Sequence, residues 1–272
     1  MMDVLIAILY AASAAMYLMY LFSQKEALQK AGYLLVGAGF AVHTAALVGD
    51  MVSTGYLPVH NLRETLSIFA WAISLVYLFI RHRYGIRIMG AYAAPLALFA
   101  FLFSLKVSDV PPVEPASTFT SFWFFAHIVT VFLGEAALAM AAGAGVLYLL
   151  QERAIKEKTR GFFYRRLPSL EQLDGMGYVC IIVGFTALTL GLVTGLLYAK
   201  LIWHRFMSWD PKEVWSGISW IIYAVLLHER LAVGMRGRNA ALLSIVGFVV
   251  LLFTLFGVNF LMGGHHGQFT RF

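Results

Sequence analysis

The chain has 272 residues, of which 61% are hydrophobic and only 12% are charged, and its mean hydropathy is +0.79. No soluble domain of this length is so apolar, because it could not cover its own surface with polar groups. The composition predicts an all-α, polytopic membrane protein. The net charge of +6 does not indicate nucleic-acid binding. The Lys and Arg residues instead follow the distribution typical of membrane proteins, in which cytoplasmic loops are enriched in them.

Eight apolar runs are long enough to cross a bilayer, since a span needs roughly 20 residues, within a range of about 17–25. In chain order they cover about 3–22, 32–50, 64–80, 88–105, 122–150, 176–198, 214–229 and 240–262. The first run has neither a basic leader nor a small-residue cleavage pattern, so we expect it to be a retained helix. We therefore predict one membrane domain over residues 1–272, with about eight transmembrane helices.

The basic residues predict the orientation of this bundle. The loops after spans one, three, five and seven hold 14 of the 20 Lys and Arg residues. Cytoplasmic loops are enriched in these residues, so both termini are expected to be extracytoplasmic. The single cysteine, Cys180, lies in an apolar run, which leaves no internal disulfide and no CxxC motif. Any thiol chemistry must therefore use the cysteines of a partner.

The most informative segment, at about 198–215, lies between spans six and seven on the predicted extracytoplasmic face. It contains Trp203, Trp209 and Trp215, together with the charged core Asp210-Pro211-Lys212-Glu213. Aromatic faces stack on a flat ring and cations pair with carboxylates, so this segment suits an anionic, planar ligand such as a porphyrin. An interfacial aromatic belt is the simpler interpretation, but it does not account for the charged core.

Two histidines lie on the same predicted face as the Trp-rich segment. His127 opens span five, and His266 is close to the C-terminus. Two neutral imidazoles on opposite sides of an iron porphyrin give six-coordinate ligation. A lone histidine in an apolar helix is more often a satisfied polar residue, so the prediction depends on the pair.

His43 and His228 form a second candidate pair, because an ionisable side chain at membrane depth usually faces a cavity or a partner. Their depths agree poorly. His43 is expected about 16 Å into span two, whereas His228 is almost at the cytoplasmic end of span seven.

The Trp209-Asp210-Pro211-Lys212-Glu213 core resembles the WWD signature of the haem-handling cytochrome c assembly proteins CcsA/ResC, CcmC and CcmF. The similarity to the CcsA/ResC group continues in order from span two to the C-terminus. It covers His43 followed by Gly55, Pro58, Asn61 and Glu64; His127; Tyr223 to His228; and Gly257, Val258 and Asn259 followed by Gly264 and His266.

The resemblance implies that haem b is held inside the bundle by His43 and His228 and outside by His127 and His266. Lys212, Arg205 or both would pair with the propionates, with Asp210 and Glu213 orienting the cations or a histidine. Two cysteines of an apocytochrome c CxxCH motif would then add across the haem vinyl groups. The resemblance further implies a CcsB/ResB membrane partner, location in a bacterial cytoplasmic membrane, and the role of haem-handling subunit of a cytochrome c synthase (haem lyase).

Three positions depart from the family pattern. Tyr198 and Met207 stand where tryptophan is common, and His204 stands where glycine is usual. These departures leave open a regulatory branch resembling HemX, an eight-span protein linked to the control of haem synthesis. A transporter is a further alternative, but it would be expected to have broken helices in paired halves, and no repeat is evident in the sequence. A quinone-linked redox protein is another, but it gives no reason for the Asp-Pro-Lys-Glu core.

Overall fold

The computed structural model describes residues 2–107, 120–158, 161 and 164–258, and its regular elements are all helical. Its eight long helices are α1 (Met2–Ser23), α2 (Glu26–Thr54), α3 (Leu62–Tyr84), α4 (Gly90–Ser104), α5 (Phe122–Lys156), α6 (Leu170–Trp203), α7 (Pro211–His228) and α8 (Arg238–Leu252). Short helical turns precede α4 and follow α7 and α8. The predicted all-α membrane bundle is confirmed.

Seven helical segments of the described residues are long and apolar enough to cross a membrane, with α4 and α8 counted together with their adjoining turns. The eighth, α7, is the helix that begins with the charged core of the Trp-rich segment, and that first turn lowers its mean hydropathy. A π-helical turn at Glu229–Val233 continues α7 beyond its last residue. The short seventh run of the sequence thus corresponds to a helix that extends into its polar flanks at both ends.

Several helix ends are set by local side-chain chemistry. The Asn61 side chain accepts a hydrogen bond from the Glu64 N–H at the start of α3. Ser169 and Gln172 form a reciprocal capping box at the start of α6. Gly55 and Gly85 end α2 and α3 with φ of 82° and 70°, a left-handed conformation that glycine adopts without a Cβ clash.

The helices pack in two groups. In the first group, α1 packs on α2 and α4, and α3 packs on α2 and α4; in the second, α5 packs on α6 and α8, and α7 packs on α6 and α8. The main connection between the groups is α3 against α5, where the rings of Phe69 and Phe132 have centroids 6.5 Å apart. The two groups share one principal seam, and a single hydrophobic core runs through both.

Small residues bring α5 and α6 unusually close together. A Cβ atom placed on Gly134 would lie 2.9 Å from the backbone nitrogen of Leu188, and one on Gly184 would meet the Leu138 side chain at 2.6 Å. Close backbone approach at glycines is the usual way in which membrane helices gain packing contact. This contact fixes the first half of α5 against α6, which is where His127 lies.

A buried ion pair ties α6 to the connection between α7 and α8. Nη1 of Arg230 donates a hydrogen bond to Oδ1 of Asp174 at 3.1 Å, and the Gly237 N–H donates to the same oxygen at 2.9 Å. The Arg230 side chain is 6% exposed and that of Asp174 17%. Because both partners are largely withdrawn from water, this clasp holds the ends of three helices together.

Candidate functional site

His127 lies in the second turn of α5, with its ring half-buried against α6. Its Nδ1 is 2.8 Å from the carbonyl oxygen of Gly191. A carbonyl only accepts hydrogen bonds, so Nδ1 carries the proton and the lone pair of the neutral ring is on Nε2. A backbone carbonyl that fixes the tautomer in this way is typical of histidines that bind a metal through the other nitrogen.

Two glycines one turn apart on α6 allow α5 to approach closely here, and Gly195 is the one that makes room for the ring. A Cβ atom on Gly195 would lie 2.8 Å from both Cε1 and Nδ1 of His127, and one on Gly191 would lie 2.6 Å from the Val131 side chain. The Gly191 carbonyl also accepts a hydrogen bond from the Thr194 hydroxyl at 3.1 Å. The α6 surface thus fixes both the position and the tautomer of His127.

The connection between α6 and α7 exposes a row of apolar side chains. Phe206 is 54% exposed, Met207 41% and Trp209 75%. Trp209 has a φ of 57°, a left-handed conformation that costs a non-glycine residue roughly 1–2 kcal/mol. The backbone at this exposed indole is therefore strained. Exposed aromatic side chains at the end of a membrane helix suit the bilayer interface or a ligand surface.

The charged core of the Trp-rich segment builds the start of α7. Asp210, which is 5% exposed, is the N-cap and accepts the Lys212 N–H at 2.9 Å, while Pro211 occupies the first helical position. Glu213 accepts the backbone N–H and the hydroxyl of Ser208, both at 2.9 Å. Asp210 and Glu213 thus satisfy backbone donors that would otherwise be unpaired.

Lys212 is the remaining charged residue of this core, and its side chain is half-buried. Burial lowers the pKa of Lys212, and the carboxylates of Glu135 and Asp210 act against that shift. A cation placed beside buried acids is a candidate partner for an anionic ligand, provided that the ligand competes with them.

The remaining predicted outer residues are placed as follows. Trp215 is half-buried in α7 and packs edge-on against Phe253, with centroids 4.5 Å apart. Trp203 is the last residue of α6. Gly195, beside the His127 ring, precedes Trp203 by eight residues of helix, about 12 Å. His266 lies outside the described residues.

The predicted inner pair is not brought together. His43 is 1% exposed inside the first group of helices, with Nδ1 3.1 Å from the Tyr10 hydroxyl and Nε2 2.9 Å from the Ser67 hydroxyl. His228 is exposed at the end of α7, in the second group. Each lies 17 residues from the start of its helix, about 26 Å, and α2 and α7 are predicted to run in opposite directions.

One functional candidate went unnoticed in the sequence. Glu135, a single acid in the apolar run of α5, is 7% exposed. An ionisable residue within a membrane span is itself a signal of function. The capping role of Asp210 and Glu213 was also readable, because Asp-Pro-x-Glu places an N-cap, a first-turn proline and an acid at the third helical position.

The fold and these residues together define a class: a multi-pass helical membrane protein with an exposed aromatic connection between α6 and α7 and an oriented histidine packed on α6. Comparison with known proteins narrows the class. The cytochrome c assembly protein family matches residues 59–266. The cytochrome c biogenesis protein CcsA of Prochlorococcus marinus subsp. pastoris is 37% identical over 248 residues, 81% of this chain and 77% of that protein. The chain belongs to the cytochrome c assembly protein family, in its CcsA branch.

Other relatives agree. The cytochrome c biogenesis protein CcsA of Parasynechococcus marenigrum is 33% identical, covering 86% of this chain and 84% of that protein; the corresponding protein of Pyropia yezoensis is 30% identical and covers 82% of each. Among solved structures, the cytochrome c haem lyase CcmF superposes with a TM-score of 0.68 at 15% identity. That match covers 98% of this chain but 47% of CcmF, so it shows the shared fold of a longer protein.

Proposed function

We propose that the protein presents haem b on its extracytoplasmic face for covalent attachment to the CxxCH motifs of apocytochrome c. In this role it is the haem-handling subunit of a cytochrome c synthase, with haem as its cargo. The family supports involvement in cytochrome c biogenesis.

The observation that carries the proposal is the hydrogen bond from His127 to the Gly191 carbonyl. It fixes the tautomer with the lone pair on Nε2, the nitrogen through which a histidine oriented in this way ligates iron. The Gly191 carbonyl and the space at Gly195 together form a cradle that orients the His127 ring, which supports its role as an axial ligand. His266 is the proposed second ligand.

The rest of the outer site suits a planar, dianionic cargo. Trp203, Trp209 and Trp215 would supply aromatic contact, and Lys212 or the exposed Arg205 would pair with the propionates. Asp210 and Glu213 act indirectly, because they fix the first turn of α7 and hence the position of Lys212.

The chain's contribution to the reaction is positioning. The bound haem supplies two vinyl groups, and the thiols arrive with the apocytochrome, so holding the reactants in register is the main task of this protein. An incoming histidine of the CxxCH motif must replace one axial ligand. A CcsB/ResB-like membrane protein is the proposed partner, and the cytoplasmic membrane of a bacterium is the proposed location.

His43 and His228 are proposed as an earlier haem position. Binding of haem there requires two changes in the structure. Ligation by His43 requires its Nε2 to leave the Ser67 hydroxyl. Pairing with His228 further requires the two groups of helices to change their relative arrangement, because the residues lie in different groups.

The test is an absorption spectrum of the detergent-purified protein beside the His127→Ala/His266→Ala double variant. We expect a sharp reduced bis-histidine spectrum in the wild type that weakens or shifts in the double variant. The matched control is His82→Ala, which removes an exposed histidine in the last turn of α3. A haem-free wild type, or a spectrum unchanged in the double variant, would contradict the outer ligand pair and favour a HemX-like regulatory role.

A further inference from the structure

The two groups of helices repeat the same packing arrangement. In each group the first helix packs on the second and the fourth, and the third helix also packs on the second and the fourth. By this correspondence α2 matches α6, and α3 matches α7. With four predicted crossings in each group, both groups begin on the same side of the membrane, as in membrane proteins whose repeats are related by an axis along the membrane normal.

A tryptophan makes the same contacts in both groups. Nε1 of Trp71 in α3 donates to Oγ1 of Thr44 in α2 at 2.8 Å. Nε1 of Trp220 in α7 donates to Oγ1 of Thr189 in α6 at 2.9 Å. In each group the tryptophan ring also stacks on the phenylalanine one turn before the threonine, with centroids 5.4 and 5.5 Å apart.

The sequence repeats in the same register. The first parts of α2 and α6 share the pattern Glu-x-Leu-x-x-x-Gly-Tyr-x-x-x-x-x-Gly-Phe-x-x-x-Thr, at residues 26–44 and 171–189. Counterparts lie 145 positions apart between α2 and α6 (26 to 171) and 149 apart between α3 and α7 (71 to 220). The interpretation of the chain as free of repeats is therefore wrong. One objection to a transporter falls with it, but the described long helices are continuous, unlike the broken helices that bind substrate in such transporters.

In the second group, an arginine clasp connects α6 to the end of α7. Arg230 pairs with Asp174, and its guanidinium lies over the Tyr178 ring, 4.6 Å from the centroid. A guanidinium at this distance from an aromatic face gains a cation–π interaction. The clasp thus has three members, which are an arginine, a carboxylate and a tyrosine ring.

The first group has the same clasp at the corresponding residues, Arg81, Gln29 and Tyr33. Nη2 of Arg81 donates to Oε1 of Gln29 at 2.9 Å, and the guanidinium lies 5.6 Å from the centroid of the Tyr33 ring. Each of the three precedes its counterpart by the spacing given above. One member differs, because a neutral amide that is 1% exposed stands where the second group has a carboxylate.

Arg81 therefore lacks the anion that its counterpart has. It forms no ion pair within the part of the chain that the structure describes, and its Nε is shielded from solvent without a hydrogen-bond partner there. The acid at the start of α2, Glu26, is exposed and pairs with Lys30 and Arg87. A half-buried guanidinium presents a planar fork of donors that matches a phosphate or a carboxylate.

We propose that Arg81, Gln29 and Tyr33 form a binding site for the phosphate of an anionic phospholipid in the cytoplasmic leaflet. The phosphate takes the place of the carboxylate in the second clasp and accepts hydrogen bonds from the guanidinium. Arg81 is in the last turn of α3, at its predicted cytoplasmic end, where anionic lipids give the leaflet a negative surface potential. Leu34, beside Tyr33 in α2, is 70% exposed and offers an apolar surface to an acyl chain. This site does not depend on haem binding.

The test titrates the full chain in detergent with phosphatidylglycerol and measures bound lipid by native mass spectrometry. Phosphatidylcholine, whose phosphate has a cation beside it, and inorganic phosphate are the comparison ligands. The variants are Arg81→Gln, Gln29→Glu and the matched control Arg83→Gln, which removes an exposed arginine from the same turn of α3. The control loses the same charge at the helix end, so it reports any general effect of that charge.

Gln29→Glu separates the proposal from a purely structural role, because it supplies the carboxylate that the first clasp lacks at the same side-chain length. We expect Gln29→Glu and Arg81→Gln to bind phosphatidylglycerol about tenfold more weakly than the wild type, as for loss of a charge-assisted hydrogen bond. Arg83→Gln should bind like the wild type, and phosphatidylcholine should bind the wild type more weakly than phosphatidylglycerol. Without added lipid, Gln29→Glu should melt at a higher temperature than the wild type.

Four results would overturn the proposal. They are unchanged lipid binding by Gln29→Glu, a lower melting temperature for that variant, an equal loss of binding in Arg83→Gln, and displacement of the lipid by millimolar inorganic phosphate. The last result would assign the site to a soluble anion.

The second group supplies the reverse experiment. Asp174→Asn gives its clasp the neutral form found in the first group, while keeping an acceptor for the Gly237 N–H. The variant should gain a second phosphatidylglycerol that the wild type does not bind. A folded Asp174→Asn protein without the additional lipid would contradict the equivalence of the two clasps.

Discussion

His127 shows how much of a candidate ligand is decided by its neighbours. Its position near the start of span five and its predicted face were readable from the sequence. Its tautomer was not, because it depends on a carbonyl 64 residues away in α6. The space for its ring could not be predicted from the sequence either, because it comes from a glycine, Gly195, that is simply part of an apolar run there.

At the residue scale we therefore predict the effect of Gly195→Ala. The added methyl group would lie 2.8 Å from the His127 ring, so the ring must move and its bond to Gly191 must weaken. We expect haem occupancy of the purified protein to fall severalfold, measured by absorbance per mole of protein. The backbone itself gains, because alanine is favoured over glycine within a helix by roughly 0.5–1 kcal/mol.

The matched control is Gly175→Ala in the same helix, where a Cβ atom meets nothing within 4 Å. It should keep full haem occupancy. If both variants bound haem like the wild type, the cradle would have no role in orienting His127.

At the scale of the element, the start of α7 is determined by capping residues that hydropathy does not detect. The predicted run at about 214–229 begins three residues after the helix does, because hydropathy omits the polar first turn. The N-cap Asp210, the proline after it and Glu213 place the start at Pro211. The same effect extends α6 to Leu170, where the Ser169–Gln172 capping box lies outside the apolar run.

We predict that Asp210→Ala destabilises the protein by about 1 kcal/mol, as expected for loss of an N-cap. Asp210→Asn, whose side chain also caps helices well, should retain most of the stability. Thermal unfolding in detergent measures both. Equal melting temperatures for Asp210→Ala and the wild type would mean that the cap does not stabilise α7, and that the acid serves the ligand directly.

The whole molecule consists of two groups of four helices that meet mainly at α3 and α5. The number and order of the helices were predictable, because each long apolar run must form a helix in a bilayer. The grouping was not, since it depends on side-chain fit between distant segments. For that reason the sequence placed His43 and His228 in one hypothetical site, whereas they lie in separate groups.

At this scale we predict that Arg230→Ala is strongly destabilising. It leaves Asp174 largely buried without its cation, and breaking a buried pair in this way costs about 3 kcal/mol or more. The exposed pair Arg153–Glu157 offers the comparison, because the Arg153 side chain is 76% exposed. Arg153→Ala should leave the melting temperature unchanged. A similar loss in both variants would mean that the clasp is no stronger than a surface ion pair.

The left-handed backbone at Trp209 has a consequence for selection. Glycine or asparagine there would relieve the strain, so a screen for cellular abundance should enrich them over tryptophan. A screen for mature cytochrome should reject them, because they remove the exposed indole. If abundance and activity rank these substitutions in opposite order, the tryptophan is retained for a contact that its side chain makes with another molecule and not for the stability of the fold.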